Sequence, residues 1–143
     1  MSDDFPTTEF RLSEHGLTKE HFEETRPFFE QLFGVMPMYG GEGLGGFEFS
    51  SNLWVFGSIF KRGNLDIKRR SLCCLAGLTV LGRLAVARIW INACLNIGCT
   101  EEEVRETIIW TSYFGGHPAM RDVALLMDDV LAKRKNDPNL KMA

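Results

Sequence analysis

The chain has 143 residues, a length that suits a single domain, and its 45% hydrophobic and 24% charged residues are typical of a folded globular protein and not of a disordered one. The net charge of -3 argues against a partner bound through a phosphate backbone, because nucleic-acid-binding domains usually carry a basic excess. We therefore predict one domain over residues 1–143 and no nucleic acid partner.

Helix signals are frequent along the chain, and no alternating run bounded by a hairpin turn occurs. These features predict an all-α class, a single-domain bundle of about six helices. The first helix is expected from Thr18 to Phe33, with Gly34 as its stop. Its apolar side consists of Phe22, Phe28, Phe29 and Phe33. Pro27 is expected to kink or shorten it.

Residues 34–50 are rich in glycine and predict a long ordered loop or a lid. The spacing of Gly41, Gly43 and Gly46 matches a dinucleotide-binding fingerprint, but no strand precedes it, so we interpret the match as chance. Glu48 lies in this loop, as does Glu42. A lid could bring either carboxylate into a partly dry pocket and raise its pKa; otherwise both are solvated.

Capping signals divide the rest of the chain into helices. The predicted segments are Asn52 to Phe60, the stretch from after Asp66 to Gly82, Leu84 to Ile97, Thr100 to about Phe114, and Pro118 to about Lys133. Thr100 followed by Glu103 predicts a capping box, in which each residue satisfies the backbone amide of the other. The pair Gly115-Gly116 predicts a break. The tail, NDPNLKMA, is expected to fray.

The cysteines lie in apolar helical stretches, without the spacing of a secreted disulfide scaffold or a zinc site. They are Cys73, Cys74, Cys94 and Cys99.

The chain starts with an acidic segment that lacks the features of a signal peptide. Arg83, Arg88 and two asparagines interrupt the apolar region from Leu72 to Ile97, which argues against a membrane span. We expect a cytoplasmic protein with reduced thiols, no bound metal and no membrane partner.

Four stretches within residues 65–131 match the motifs of a known protein family, in the same order: KRRSLCCLAGLTVLG, AVARIWINACLNIGC, TEEEVRETI and FGGHPAM. This core resembles the carboxymuconolactone decarboxylase family and its wider relatives, which include the alkyl hydroperoxidase D proteins. The resemblance implies the alkyl hydroperoxidase D-like fold and a homo-oligomer, a trimer or hexamer. Trp54, Phe56 and Phe60 agree with an oligomer, since they offer more apolar surface than a short helix needs for one core.

The sequence departs from the family pattern at positions that carry chemistry. Trp90 stands where the decarboxylases place a proton-moving histidine, and an indole cannot act as an acid or base near neutral pH. The hydroperoxidase-type relatives place two cysteines where this chain has Arg83 and Val86. Their glutamate matches Ser71. The resemblance thus implies the fold without the usual thiol chemistry.

Arg88, Asn92 and Asn96 recur every four residues and so lie on one side of a helix. In one interpretation they face a pocket, where Arg88 could bind a substrate carboxylate or enolate with two hydrogen bonds. In the other they form a buried polar ladder that satisfies loop carbonyls or subunit contacts.

Trp90 and Cys94 lie on a neighbouring side of that helix. Trp90 could form the floor of a pocket for a flat ligand, with Trp110 helping to shape it, or this apolar stripe could be core. Cys94 could be a nucleophile only with a lowered pKa, and no basic partner is evident, so packing is favoured.

His117 is the best candidate for proton transfer, since it follows two glycines at the expected start of the last helix. A helix dipole there favours the neutral ring, which is the form a general base needs. The alternative is that His117 only caps the helix or a subunit contact.

These patterns support a cofactor-independent lyase or isomerase acting on a small cyclic carboxylated or enolisable substrate. The catalytic candidates are His117 and Arg88, and the substrate-binding candidates are Trp90, Asn92, Cys94, Trp110 and Glu48. A second hypothesis is a non-catalytic ligand-binding or assembly protein that keeps the fold. A third, a thiol peroxidase, requires a redox-active cysteine pair.

Overall fold

The computed structural model describes residues 19–34, 51 and 54–143, and these residues form helices and turns without a strand. Five α-helices and one π-helical turn are present in the described part of the chain. They are α1 (Lys19–Phe33), the π-helical turn (Val55–Ile59), α2 (Ile67–Val80), α3 (Leu84–Asn96), α4 (Glu101–Trp110) and α5 (Ser112–Asn136). The predicted all-α class is confirmed. The expected lid, with Glu42 and Glu48, lies outside the described residues.

The chain divides into two compact units, one formed by residues 1–30 and 35–63 and the other by residues 31–34 and 64–143. In the first unit, the ring of Phe29 packs edge-on against Phe56, with centroids 4.5 Å apart. A Cβ on Gly57 would lie 3.0 Å from the hydroxyl of Thr25, so the π-helical turn approaches α1 closely. The N–H of Phe60 donates to the Val55 carbonyl at 2.9 Å, the five-residue step of a π-helix, where the sequence predicted an ordinary short helix.

Helix α1 begins one residue after the predicted start and ends at the predicted residue, Phe33. Pro27 lies inside the helix and does not end it. Gly34 has a φ of 75°, the left-handed conformation that glycine adopts most readily after a helix. A Cβ at Gly34 would lie 2.6 Å from the Cβ of Lys141, so a side chain has no room there.

Helix α3 contributes more buried residues to the second unit than any other helix of that unit. It packs on α2 and α5, while α4 packs on α2 and α5. The fully buried residues of α3 are Ala87, Ile91, Asn92, Ala93 and Cys94. Leu75 of α2, Val104 of α4 and Met127 of α5 are also buried, so the apolar sides of four helices meet. Removing this surface from water is the main stabilising contribution to the bundle.

The predicted helix ends are largely observed. Asp66 caps α2 by accepting from the Arg69 amide at 2.9 Å. Thr100 and Glu103 form the predicted capping box of α4, with distances of 3.1 Å and 2.7 Å. Both reciprocal bonds satisfy amides that the first turn of a helix leaves without partners.

The break between the last two helical segments lies at Gly116, where φ is 80° and ψ is 162°. Helix α4 ends at Trp110, earlier than the predicted Phe114, and a further turn starts at Ser112. A Cβ on Gly115 would lie 3.0 Å from the Cα of Val80, so this turn packs closely against the end of α2. After the break, α5 continues to Asn136. Among the described helices, none combines the length and the hydropathy that crossing a bilayer requires.

Candidate functional site

Arg88 begins the polar stripe of α3, which consists of Arg88, Asn92 and Asn96. Its Nη1 lies 2.5 Å from Oδ2 of Asp129, and its side chain is 31% exposed. Lys133, one turn further along α5, contacts the same oxygen at 3.0 Å. The hydrogen bond from Arg88, followed by that from Lys133, holds the pKa of Asp129 below its usual value.

Asn92 is buried, and both atoms of its side-chain amide form hydrogen bonds. Its Nδ2 donates to the carbonyl oxygens of Arg88 at 3.0 Å and Ala143 at 3.3 Å. Its Oδ1 accepts from the Ala143 amide at 3.1 Å and from Nη1 of Arg134 at 3.2 Å. The two N–H donors and the two acceptor positions of the Asn92 amide are thus all used.

Asn96 repeats this arrangement one turn later. Its Nδ2 donates to the carbonyls of Leu32 at 2.7 Å and Lys141 at 3.0 Å. Its Oδ1 accepts from both terminal nitrogens of Arg134, each at 3.0 Å. Burial lowers the pKa of Arg134, because its charge is partly removed from water. The stripe therefore holds Arg134 and the segment that ends at Ala143, which the sequence had predicted to fray.

These contacts are those of a polar ladder that satisfies backbone carbonyls, one of the two interpretations that the sequence left open. The same geometry leaves part of Arg88 available. All of its polar contacts among the described residues are made by Nη1, to Asp129 and at 3.5 Å to the Ala143 carbonyl. Its Nε and Nη2 are not used in them. A role for Arg88 and Asn92 toward a substrate stays a prediction.

Trp90 and Cys94 lie on the more apolar side of α3. The Trp90 ring meets Phe33 edge-on, with centroids 5.7 Å apart. Cys94 is fully buried, and its thiol is hydrogen-bonded to that of Cys99. This hydrogen bond and burial raise the pKa of Cys94, so its thiol stays protonated.

Ser71 is buried on α2. Its hydroxyl has no hydrogen-bond partner among the described residues. A buried hydroxyl without a partner costs free energy, so this position is a place where a ligand or a water molecule would be stabilising.

Trp110 lies elsewhere, in an open groove of about 420 Å³ between α2 and α4. The groove is lined by Leu72, Cys73, Ala76, Glu106, Thr107 and Trp110. Trp110 is 69% exposed. It stacks on Tyr113 at 6.2 Å, and Tyr113 contacts Phe114 edge-on at 5.1 Å. We call Trp110, Tyr113 and Phe114 the aromatic cluster.

His117 follows the break at Gly116, and its side chain is exposed. In the part of the chain that the structure describes, no hydrogen bond or ion pair connects it with Arg88. The structure thus brings Arg88 and Asn92 together and places Trp110 in a separate groove. Within residues 19–34, 51 and 54–143, no group of three or more His, Cys, Asp or Glu side chains is positioned to hold a metal ion.

Asp129, Arg134 and Glu106 were not singled out from the sequence. Asp129 is 41 positions from Arg88, and Arg134 is 42 positions from Asn92, so no local spacing connects the partners. The signal that was present in the sequence is the four-residue repeat of polar residues on an otherwise apolar helix. Such residues need hydrogen-bonding or charged partners on a neighbouring helix.

Residues 54–129 match the carboxymuconolactone decarboxylase family. An uncharacterized 15.0 kDa protein from the nqo9-nqo10 intergenic region of Paracoccus denitrificans is 37% identical over 87 residues, which is 59% of this chain and 64% of that protein. A 4-carboxymuconolactone decarboxylase of Acinetobacter baylyi is 32% identical over 77 residues, which is 54% of this chain and 58% of the relative. The chain thus covers less than two thirds of the length of each relative.

Proposed function

Because the chain belongs to the carboxymuconolactone decarboxylase family, we propose that it is a cofactor-independent lyase or isomerase of the decarboxylase kind. Its substrate would be a small cyclic compound that is carboxylated or enolisable, and it would act in the cytoplasm. The similarity to a relative named 4-carboxymuconolactone decarboxylase supports this reaction class.

The observation that carries the proposal is that only one of the three guanidinium nitrogens of Arg88 contacts other described residues. Asp129 and the Ala143 carbonyl use only Nη1, so Nε and Nη2 can donate to an anion. When a carboxylate leaves as CO2, its electron pair stays on the substrate as an enolate. A cation held beside the enolate oxygen stabilises this negative charge and so lowers the free-energy barrier of decarboxylation. Arg88 supplies this cation, and Asp129 fixes its position.

The enolate must then be protonated on carbon, and we assign this step to His117. The exposed ring can exchange protons with water and return to its starting state after each turnover. Trp90, Asn92, Cys94 and Glu48 would shape the pocket. For Trp110 to contribute as well, the groove between α2 and α4 must open onto the same site. The proposal requires His117 and Arg88 to reach the same bound substrate.

The test is to measure CO2 release and loss of substrate absorbance with a panel of cyclic β-keto and lactone acids. Arg88→Ala should raise KM and lower kcat, and His117→Ala should lower kcat by about 100-fold or more, the usual contribution of general acid–base catalysis. Arg105→Ala is the matched control, because Arg105 is also paired with an aspartate of α5, Asp128, at 3.1 Å. Turnover that is absent, or unchanged by both variants, would overturn the proposal.

A second candidate is a non-catalytic ligand-binding or assembly protein that keeps the family fold. Trp90 favours it, because an indole replaces the family's proton-moving histidine and packs on Phe33. Calorimetry separates the two candidates: this one predicts that the acids bind, with weaker affinity in Arg88→Ala, while no product forms.

We also propose that the protein is a homo-oligomer, a trimer or a hexamer. The support is the aromatic cluster, whose three rings are largely exposed in the single chain. Contiguous exposed aromatic surface is typical of protein interfaces and rare on the surface of monomers.

A further inference from the structure

Helix α3 ends in a Schellman motif. The N–H of Gly98 donates to the Leu95 carbonyl at 3.1 Å, and the N–H of Cys99 donates to the Cys94 carbonyl at 2.9 Å. Gly98 has the required left-handed conformation, with a φ of 86°. In this motif the side chains at the positions of Cys94 and Cys99 come into contact, usually as an apolar pair that stabilises the helix end.

Here both contact positions are cysteines, so the motif places their side chains next to each other at the end of α3. Cys94 is fully buried, and Cys99 is 6% exposed. A disulfide requires Cβ atoms about 3.8 Å apart and a suitable approach of the two backbones. The Schellman hydrogen bond from the Cys99 N–H to the Cys94 carbonyl holds the two backbones close together, as a disulfide requires.

The two thiols are not equivalent. The hydrogen bond from Cys94 lowers the pKa of Cys99, and the nearby charge of Lys68 acts in the same direction. Lys68 is held in place, because its ammonium donates to the Gly98 carbonyl. The same hydrogen bond raises the pKa of Cys94. Cys99 is also the more accessible of the two, at 6% exposed against 0% for Cys94, so we assign the attacking thiolate to Cys99.

We propose that Cys94 and Cys99 form a reversible intrachain disulfide when the protein meets a hydroperoxide. The Cys99 thiolate attacks one peroxide oxygen, and the oxygen–oxygen bond breaks to give a sulfenic acid and, for hydrogen peroxide, one water after proton uptake. The sulfur of Cys94 then attacks the sulfenic sulfur while its proton passes to the departing hydroxyl, which leaves as a second water. In total the two thiols lose two electrons, and one molecule of hydrogen peroxide is reduced to two molecules of water.

The modification needs neither Arg88 nor His117, the two residues to which we assign the reaction, although it includes Cys94, which we propose as a pocket residue. The disulfide would close the end of α3 covalently, just before the capping box of α4. A small thiol would reduce it and restore the hydrogen-bonded pair.

The test treats the full chain with hydrogen peroxide, alkylates it under denaturing conditions and analyses the tryptic peptides. The peptide of residues 89–105 contains Cys94 and Cys99, whereas Cys73 and Cys74 fall in residues 71–83. We expect the first peptide to lose two hydrogen masses and escape alkylation, and the second to be alkylated twice. Dithiothreitol should reverse the change, with about one equivalent of peroxide consumed per chain.

The matched variants are Cys99→Ser and Cys73→Ser. The first should abolish the bridged peptide, and the second should leave its yield unchanged. Full alkylation of residues 89–105 after peroxide, a bridge that includes Cys73 or Cys74, or irreversible oxidation of Cys99 without a bridge would each overturn the proposal. The wild-type result does not depend on whether a variant folds.

Discussion

Asn92 and Ala143 meet in a two-point contact, in which Nδ2 of Asn92 donates to the Ala143 carbonyl at 3.3 Å and the Ala143 N–H donates back to Oδ1 at 3.1 Å. The primary amide of Asn92 carries a donor and an acceptor side by side, so it can bind the oxygen and the N–H of Ala143 at the same time. The segment after α5 is therefore bound to the polar stripe of α3.

Replacing Asn92 with alanine should lower the free energy of unfolding by about 2–3 kcal/mol, because the Ala143 amide and Arg134 lose a buried acceptor. Urea denaturation followed by circular dichroism measures this. Asn139→Ala is the control, since Asn139 is exposed and its recorded hydrogen bond is made by its backbone N–H. Equal midpoints for the two variants would contradict the anchoring role of Asn92.

Two glycines near the end of α2 should respond to alanine in opposite directions. A Cβ at either Gly77 or Gly82 meets no atom within 4 Å, so steric clash does not distinguish them. Gly77 lies inside the helix, whereas Gly82 has a φ of 62°. Gly77→Ala should stabilise the protein by about 0.5–1 kcal/mol and Gly82→Ala should destabilise it by about 1 kcal/mol. Thermal unfolding of the pair checks the signs, and a shared sign would refute the conformational argument.

The sequence predicted the fold well wherever the signal was local. The capping box at Thr100 and the breaks at Gly98 and Gly116 depend on residues within one turn of each other, and each was confirmed. The π-helical turn was predicted only as an ordinary helix. Its five-residue hydrogen bond, Phe60 to Val55, accompanies the packing of Phe56 on Phe29, and nothing in a short sequence window reports that distant ring.

For the candidate site, the sequence placed Arg88, Asn92 and Asn96 on one side of a helix but could not choose their partners. The choice depends on how α5 crosses α3, which brings Asp129 and Arg134 to that stripe. Fraying of the tail was predicted from its composition and is wrong, because hydrogen bonds to Lys141 and Ala143 outweigh weak local preferences.

The carboxyl group of Asp129 should titrate below 3.8, its ordinary value, since Arg88 and Lys133 both favour the charged form. Because this pKa is lowered by folding, its stabilising effect is complete above the unfolded-state pKa and is lost as pH falls through the folded-state pKa. NMR titration of the side-chain carboxyl carbon measures the shift. Arg88→Gln should raise the pKa more than Lys133→Gln, and the reverse order would show that Lys133 dominates.

Adjacent cysteines on α2 should differ in reactivity. Cys73 is exposed, whereas burial, together with the charge of Cys73, raises the pKa of Cys74 to about 11. With iodoacetamide at pH 8, roughly one thiol in a thousand at Cys74 is ionised, so Cys73 should react first. Timed alkylation with fragment-ion mass spectrometry assigns the sites, and Cys73→Ser should remove the fast phase. Comparable rates at Cys74 would contradict its burial.

The aromatic cluster should control self-association, if it is the surface through which copies of this chain meet. Tyr113 is 81% exposed, and a glutamate there would place a charge at the centre of the contact, where desolvation is costly. We expect Tyr113→Glu to convert the trimer or hexamer to monomer in sedimentation velocity while the helical circular dichroism signal stays unchanged.

The matched control is Leu125→Glu, an equally charged change at a 54% exposed apolar residue of α5 outside the cluster, which should leave the sedimentation coefficient as it is. Dissociation by the control and not by Tyr113→Glu would place the interface elsewhere. A wild-type protein that sediments as a monomer would refute the oligomer itself, and the three exposed rings would then need a different partner.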